Sequence, residues 1–295
     1  MVLRSIPQPL FKYLPLERAK QVLTERTIRF SQPKYLNDPY EMQLVINPVS
    51  LRDDIVAREI ASGTPVNEAE ETASRRLESV AFDLVDMIKK TRNEVGVLSL
   101  SERSDGLLMW AHYAQDHRGV AIGLQLEQCL LPSNQDPNSL VWLDDVKYLS
   151  EKIDFIREGT APWKSLLRKS EEWRYEEEWR IIRSLNTLRP VTSEVYVAEL
   201  WPEAIKSVIL GARMSPAEET AIIALLEASD DFSHIEIFKS VVSSKKLALE
   251  IIPFKEWASR AIYSEFHFDE NWREIREWVD LEALGELLTS SSKAD

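Results

Sequence analysis

Ten residues, Trp173-Arg174-Tyr175-Glu176-Glu177-Glu178-Trp179-Arg180-Ile181-Ile182, constrain this chain more than any other stretch. Apolar and charged side chains alternate along it, and a two-residue period is the mark of a strand with two unlike faces. Read that way, Trp173, Tyr175, Trp179 and Ile181 share one face, while Arg174, Glu176, Glu178 and Arg180 share the other. The apolar face demands a core. The charged face is either a solvated ladder of ion pairs, which contributes little, or the floor of a polar site.

Such a strand needs a sheet, and the chain supplies strand-like segments at Phe11–Leu14, Thr27–Ser31, Val95–Leu100, Gly119–Leu124, Val146–Tyr148, Val195–Leu200, Ser207–Leu210 and Ile235–Phe238. Helical spacing fills Pro15–Thr24, with proline near the start, where its missing amide donor does no harm. Residues 51–92 read as two charged helices parted at Ser62-Gly63-Thr64-Pro65. With only 8 glycines in 295 residues and no long Ser/Gly/Pro linker, the pattern predicts one α+β domain over 1–254 that includes the helical insertion 51–92. A helical extension over 255–295 follows, in which Trp272, Ile275, Trp278, Val279, Leu281, Leu284, Leu287 and Leu288 form an apolar stripe. That stripe must cover its own sheet or a partner such as an antitoxin, a chaperone or a second copy.

Several function classes fit poorly. A net charge of -13 opposes general coating of phosphate backbones or anionic membranes, though a local basic pocket can still take a nucleotide. The lone Cys129 forms no internal disulfide, no apolar run reaches the length of a membrane span, and the N-terminus lacks a signal-peptide pattern, so the expected location is the cytoplasm. His112 and His117 lie close together, but His-x4-His with one distant cysteine matches no common zinc pattern, and no metal is expected. His112 suits a site or the edge of an aromatic core helix over 107–114 equally well. Glycine-rich phosphate loops and the G-x-S-x-G elbow are absent from the sequence.

Other motifs carry a resemblance. Phe11-Lys12-Tyr13, Ile28-Arg29-Phe30-Ser31-Gln32-Pro33, Leu36-Asn37-Asp38-Pro39-Tyr40-Glu41, Leu98-Ser99-Leu100-Ser101, Met109-Trp110-Ala111-His112-Tyr113, Gly119-Val120-Ala121-Ile122, Trp173-x-Tyr175-Glu176-x-Glu178-x-Arg180 and Ile209-Leu210-Gly211 occur in the order found in the bacterial domain-of-unknown-function family 2971. Their layout is similar, more weakly, to the ADP-ribosyltransferase superfamily, which implies a split mixed β-sandwich and NAD as substrate. The resemblance assigns Glu178 to the ribose and its oxocarbenium-like state, Glu176 to the acceptor, and Ser31 to support of the glutamate. His112 and Tyr113 join the catalytic group. Lys12 and Tyr13 would meet the adenylate half, standing where the superfamily has Arg or His. Asn37, Asp38, Trp110, Arg174 and Arg180 complete the cofactor side, with Arg180 or Arg174 tethering a phosphate or restraining the carboxylates. A toxin or phage-defence effector that modifies a protein or nucleic acid is the expected setting. The competing expectation is a non-catalytic nucleotide- or partner-binding module built on the same face.

Overall fold

Apolar periodicity and turn chemistry sort the chain into seven helices and thirteen strands among the described residues. In this computed structural model those residues are 6–40, 44–126, 141–159 and 161–265, with side chains described as far as residue 259. In chain order they are β1 Leu10–Leu14, α1 Leu16–Glu25, β2 Thr27–Phe30, α2 Pro48–Ala61, α3 Val66–Glu94, β3 Val95–Ser101, α4 Leu107–Tyr113 and β4 Val120–Leu124. Then come β5 Val141–Asp145, β6 Lys147–Leu149, α5 Phe155–Glu158, β7 Arg168–Ser170, β8 Glu178–Ser184, β9 Arg189–Pro190 and β10 Tyr196–Glu199. The chain closes with β11 Ile205–Leu210, α6 Pro216–Glu227, β12 Glu236–Val242, β13 Leu249–Pro253 and α7 Phe254–Glu265. The class is α+β with mixed strand pairing. The C-terminal stripe Trp272–Leu288, like Cys129 and Glu41, lies outside the described residues.

These elements divide into two compact units. The first takes residues 1–27, 100–131 and 199–295, and the second takes 28–99 and 132–198.

In the first unit the strand order is β13-β12-β11-β4-β1, with β11 and β12 parallel and the other neighbours antiparallel. Strands with partners on both sides are the most apolar, and every residue of β4 is buried. Two signature glycines are explained here. A Cβ on Gly211 would fall 2.2 Å from the His117 carbonyl oxygen, and one on Gly119 would fall 2.2 Å from that of Leu14. Only glycine lets these backbones approach, and the Gly211 N–H donates to the Gly119 carbonyl at 3.0 Å. Helix α1 buries Leu16, Ala19, Val22 and Leu23, a single stripe whose larger members each contribute roughly 1.5–3 kcal/mol, and Arg26 ends it in the left-handed region. Helix α6 starts with a full capping box between Ser215 and Glu218.

The second unit holds the strand run β3-β8-β5, the parallel pair β6-β7 and a small sheet β2-β10-β9. The expected helical pair is present as α2 and α3. Leu51, Ile55 and Ala73 form its buried contact, with Leu77, Val80, Ala81 and Leu84 packed against them. Gly63, at φ 96°, turns the chain between the two.

The ten-residue stretch differs from its expected form. Residues 171–176 form a 3-10 turn, Glu177 is left-handed at φ 43°, and the strand starts only at Glu178. The alternation therefore holds for Glu178 and Arg180 but not for Arg174 and Glu176. Arg174 is exposed and pairs with Glu171 at 2.5 Å, an i,i+3 contact that suits a helical turn and no strand.

Candidate functional site

The site in the second unit is assembled by a turn, not by a strand face. On β8, Glu178 and Arg180 sit two residues apart and share one side, so the guanidinium reaches back to its neighbour. Arg180 Nε donates to Glu178 Oε1 at 2.8 Å, and its Nη2 donates to Oε2 at 3.0 Å. Arg180 also donates to the Leu166 carbonyl at 2.5 Å. Glu178 is 4% exposed and Arg180 1%.

Lys169 closes the cluster. From the centre of β7, its Nζ donates to Glu176 Oε2 at 2.5 Å and to Glu178 Oε2 at 3.3 Å. The 3-10 turn and the left-handed Glu177 bring Glu176 back beside Glu178, so the two carboxylates meet one ammonium despite the broken strand. Trp173 lies beneath that ammonium, its ring centroid 4.6 Å away. The Glu178 N–H donates to the Tyr148 hydroxyl at 2.8 Å, and burial raises the Tyr148 pKa, with the nearby glutamates adding to the rise. For Glu178 itself burial pushes the pKa up, but the Arg180 and Lys169 charges and the hydrogen bonds from Arg180 and Ser99 overcome it and leave the carboxyl at about 2. It is ionised at any physiological pH.

Beside this cluster the second unit opens into a cleft of about 410 Å³. Lys152, Arg168 and Lys169 supply its cations, Glu151 and Glu172 its carboxylates, and Tyr40 an aromatic ring. Arg168 is ion-paired with Glu158. Lys169 thus belongs to both the cleft wall and the buried cluster, although its side chain is only 2% exposed.

The loop bearing Tyr40 is held by Asp38. That carboxylate is 2% exposed, accepts the Tyr40 N–H at 2.8 Å and takes a long 3.5 Å contact from the Ser170 N–H. Asn37 is exposed at the same turn. Ser31 is tied to Val97 by two backbone hydrogen bonds of 2.8 Å.

The remaining candidates belong to the first unit. Tyr13 is 5% exposed and donates its hydroxyl to the Arg103 carbonyl at 2.7 Å; Trp110 is fully buried and donates Nε1 to the Ser104 carbonyl at 2.8 Å. Their rings meet edge to face at 5.2 Å. Together they hold the loop after β3. Lys12 is half-buried on β1 opposite Ile122. On α4, His112 is exposed and Tyr113 half-buried, with their rings 6.2 Å apart. Ser31, Asn37, Asp38, Arg174, Glu176, Glu178 and Arg180 are in the second unit, and Lys12, Tyr13, Trp110, His112 and Tyr113 are in the first. Of the charged residues singled out, Glu176, Glu178 and Arg180 converge on one group of contacts around Lys169.

Lys169, Tyr148 and Arg168 were not foreseen. Their only signal is the basic pair Arg168-Lys169 ahead of an acidic run, which reads equally as surface charge.

A family model described as protein of unknown function, DUF2971, matches residues 109–181. The resemblance to that family is borne out. The matched DUF2971 segment contains Lys169, Glu176, Glu178 and Arg180, so all four charges of the buried cluster fall within it. No curated protein and no solved structure matches the chain.

Proposed function

We propose that the second unit is a nucleotide-binding module whose ligand occupies the cleft beside Lys169. One observation carries this reading. The cleft gathers Lys152, Arg168 and Lys169 beside an exposed aromatic ring, on a chain whose overall charge is -13, with Arg168 held by Glu158 and Lys169 by Glu176 and Glu178. Basic side chains gathered with an aromatic ring in one concavity of an acidic protein offer a local place for a phosphate that competes with their glutamate partners. Glu176 and Glu178 favour binding over chemistry, because both are already held by buried cations, Glu178 by Arg180 and Lys169, and Glu176 by Lys169.

A second reading is ADP-ribosyl transfer from NAD, with an ADP-ribosyltransferase-like split sandwich and a role as toxin or phage-defence effector. It is favoured by the convergence of Glu176 and Glu178 next to the cleft and by the permanently ionised state of Glu178. A carboxylate fixed as an anion stabilises positive charge developing on ribose and serves poorly as a proton carrier at neutral pH. In that reading Lys169 must yield to admit the sugar.

Equilibrium dialysis with labelled NAD and AMP, followed by mass spectrometry for nicotinamide in the same sample, separates the readings. Bound nucleotide without nicotinamide release is the expected result. Release that Glu178→Gln abolishes in protein still folded by near-ultraviolet circular dichroism would make transfer the function. Binding of neither nucleotide would remove both readings from this cleft.

A further inference from the structure

Resting on the nucleotide reading of the cleft, we propose that Tyr40 is its base-stacking platform and that the ligand is a mononucleotide, lying with its base on the Tyr40 ring and its phosphate toward Arg168 and Lys169. Tyr40 is 58% exposed although it lines a concavity. A large ring left in water at a cleft wall is held there by something, and here the support is a buried carboxylate. Asp38, 2% exposed, accepts the Tyr40 amide and reaches the Ser170 amide at the end of β7. Burying a carboxylate is costly unless it is hydrogen-bonded, and Asp38 is placed to tie the loop to the same strand that carries Lys169.

The lining separates into chemically distinct groups. Leu44 is joined to the 150–154 segment through the hydrogen bond from Val45 N–H to the Ile153 carbonyl, 3.1 Å, and Leu44, Leu149 and Ile153 are the half-buried apolar residues of the wall. Arg168, Lys169 and Ser170 come from β7. Apolar residues with an aromatic ring suit a planar base, whereas a guanidinium and an ammonium suit a phosphate, which would compete with Glu158 for Arg168 and with Glu176 and Glu178 for Lys169. The Lys152 ammonium already lies 5.7 Å from the Tyr40 centroid, as expected over an electron-rich face. At about 410 Å³ the cleft is at the small end of ligand sites, which run from roughly 300 to 1,000 Å³, and so fits one nucleotide better than an extended dinucleotide.

Calorimetric titration of the full chain with AMP and, separately, with inorganic pyrophosphate tests this, using wild type, Tyr40→Ala and Tyr40→Trp. The exposed position makes both variants fold normally. Stacking losses on alanine substitution predict AMP binding about tenfold weaker in Tyr40→Ala, near wild type in Tyr40→Trp, and pyrophosphate binding the same in all three. AMP binding that Tyr40→Ala leaves unchanged overturns the platform and spares the nucleotide reading. Wild type that binds pyrophosphate as tightly as AMP overturns both, reducing the cleft to an anion site, and wild type that binds neither also overturns both.

Discussion

Glu178 is the residue on which site and stability meet. Its folded pKa lies near 2, below the usual 4.5 of a glutamate, so the folded state binds a proton less readily than the unfolded chain. The stabilisation is therefore present above the unfolded pKa and is lost as pH falls from about 4.5 toward 2, a term on the order of 3 kcal/mol. Thermal melts at stepped pH should show Tm falling through that window, and falling less in Glu178→Gln. From sequence alone, Glu178→Gln looks like a swap that removes charge and leaves the fold intact. The buried partners change that expectation. Glutamine leaves Arg180 and Lys169 short of countercharge in a buried site, and loss of one partner of a buried pair costs about 3–5 kcal/mol. Chemical denaturation of the variant should register a loss of that size, and a loss under about 1 kcal/mol would mean that the network is more solvated than its geometry indicates.

At the scale of elements, most of the regular structure is legible because its signals are local. Short apolar runs mark β1, β4 and β11, and the stripes of α1, α2 and α3 follow helical spacing. The turn before β8 is not legible. Glutamates at 176, 177 and 178 fit a strand or a turn equally well, and the left-handed backbone at Glu177 decides between them without any glycine or asparagine to announce it. Lys169 is hidden for the same reason, since seven residues and a 3-10 turn separate it from Glu176, and no strand or helix spacing joins them. The positions of Gly119 and Gly211 have a cause that only the packed backbones reveal. Gly211→Ala would drive a methyl group into the His117 carbonyl, and hydrogen exchange should report faster opening of β4 and β11 with a global loss above about 2 kcal/mol. Gly63→Ala meets no atom within 4 Å and bears only the cost of its positive φ, about 1 kcal/mol.

Across the whole molecule, the sequence reads as one domain because no linker marks a boundary. The first unit is built from three separate chain segments and the second from two, and the crossings at 27/28, 99/100 and 198/199 fall inside strands β2, β3 and β10. The candidate residues divide with it. Aromatics that look like cofactor ligands, Tyr13 and Trp110, spend their polar atoms on loop carbonyls in the first unit, while the charges that look like one strand face form a buried cluster in the second. The DUF2971 match begins at Met109 in the first unit and ends at Ile181 in the second.

The central claim is that the cleft beside Lys169 in the second unit holds a nucleotide, and hydrogen–deuterium exchange of the full chain with and without saturating AMP tests it most directly. The account predicts slowed exchange in peptides covering 36–40, 149–153 and 165–172, with the first-unit segments around Lys12 and 107–113 unchanged. Protection confined to those first-unit segments, or no protection anywhere, would contradict it.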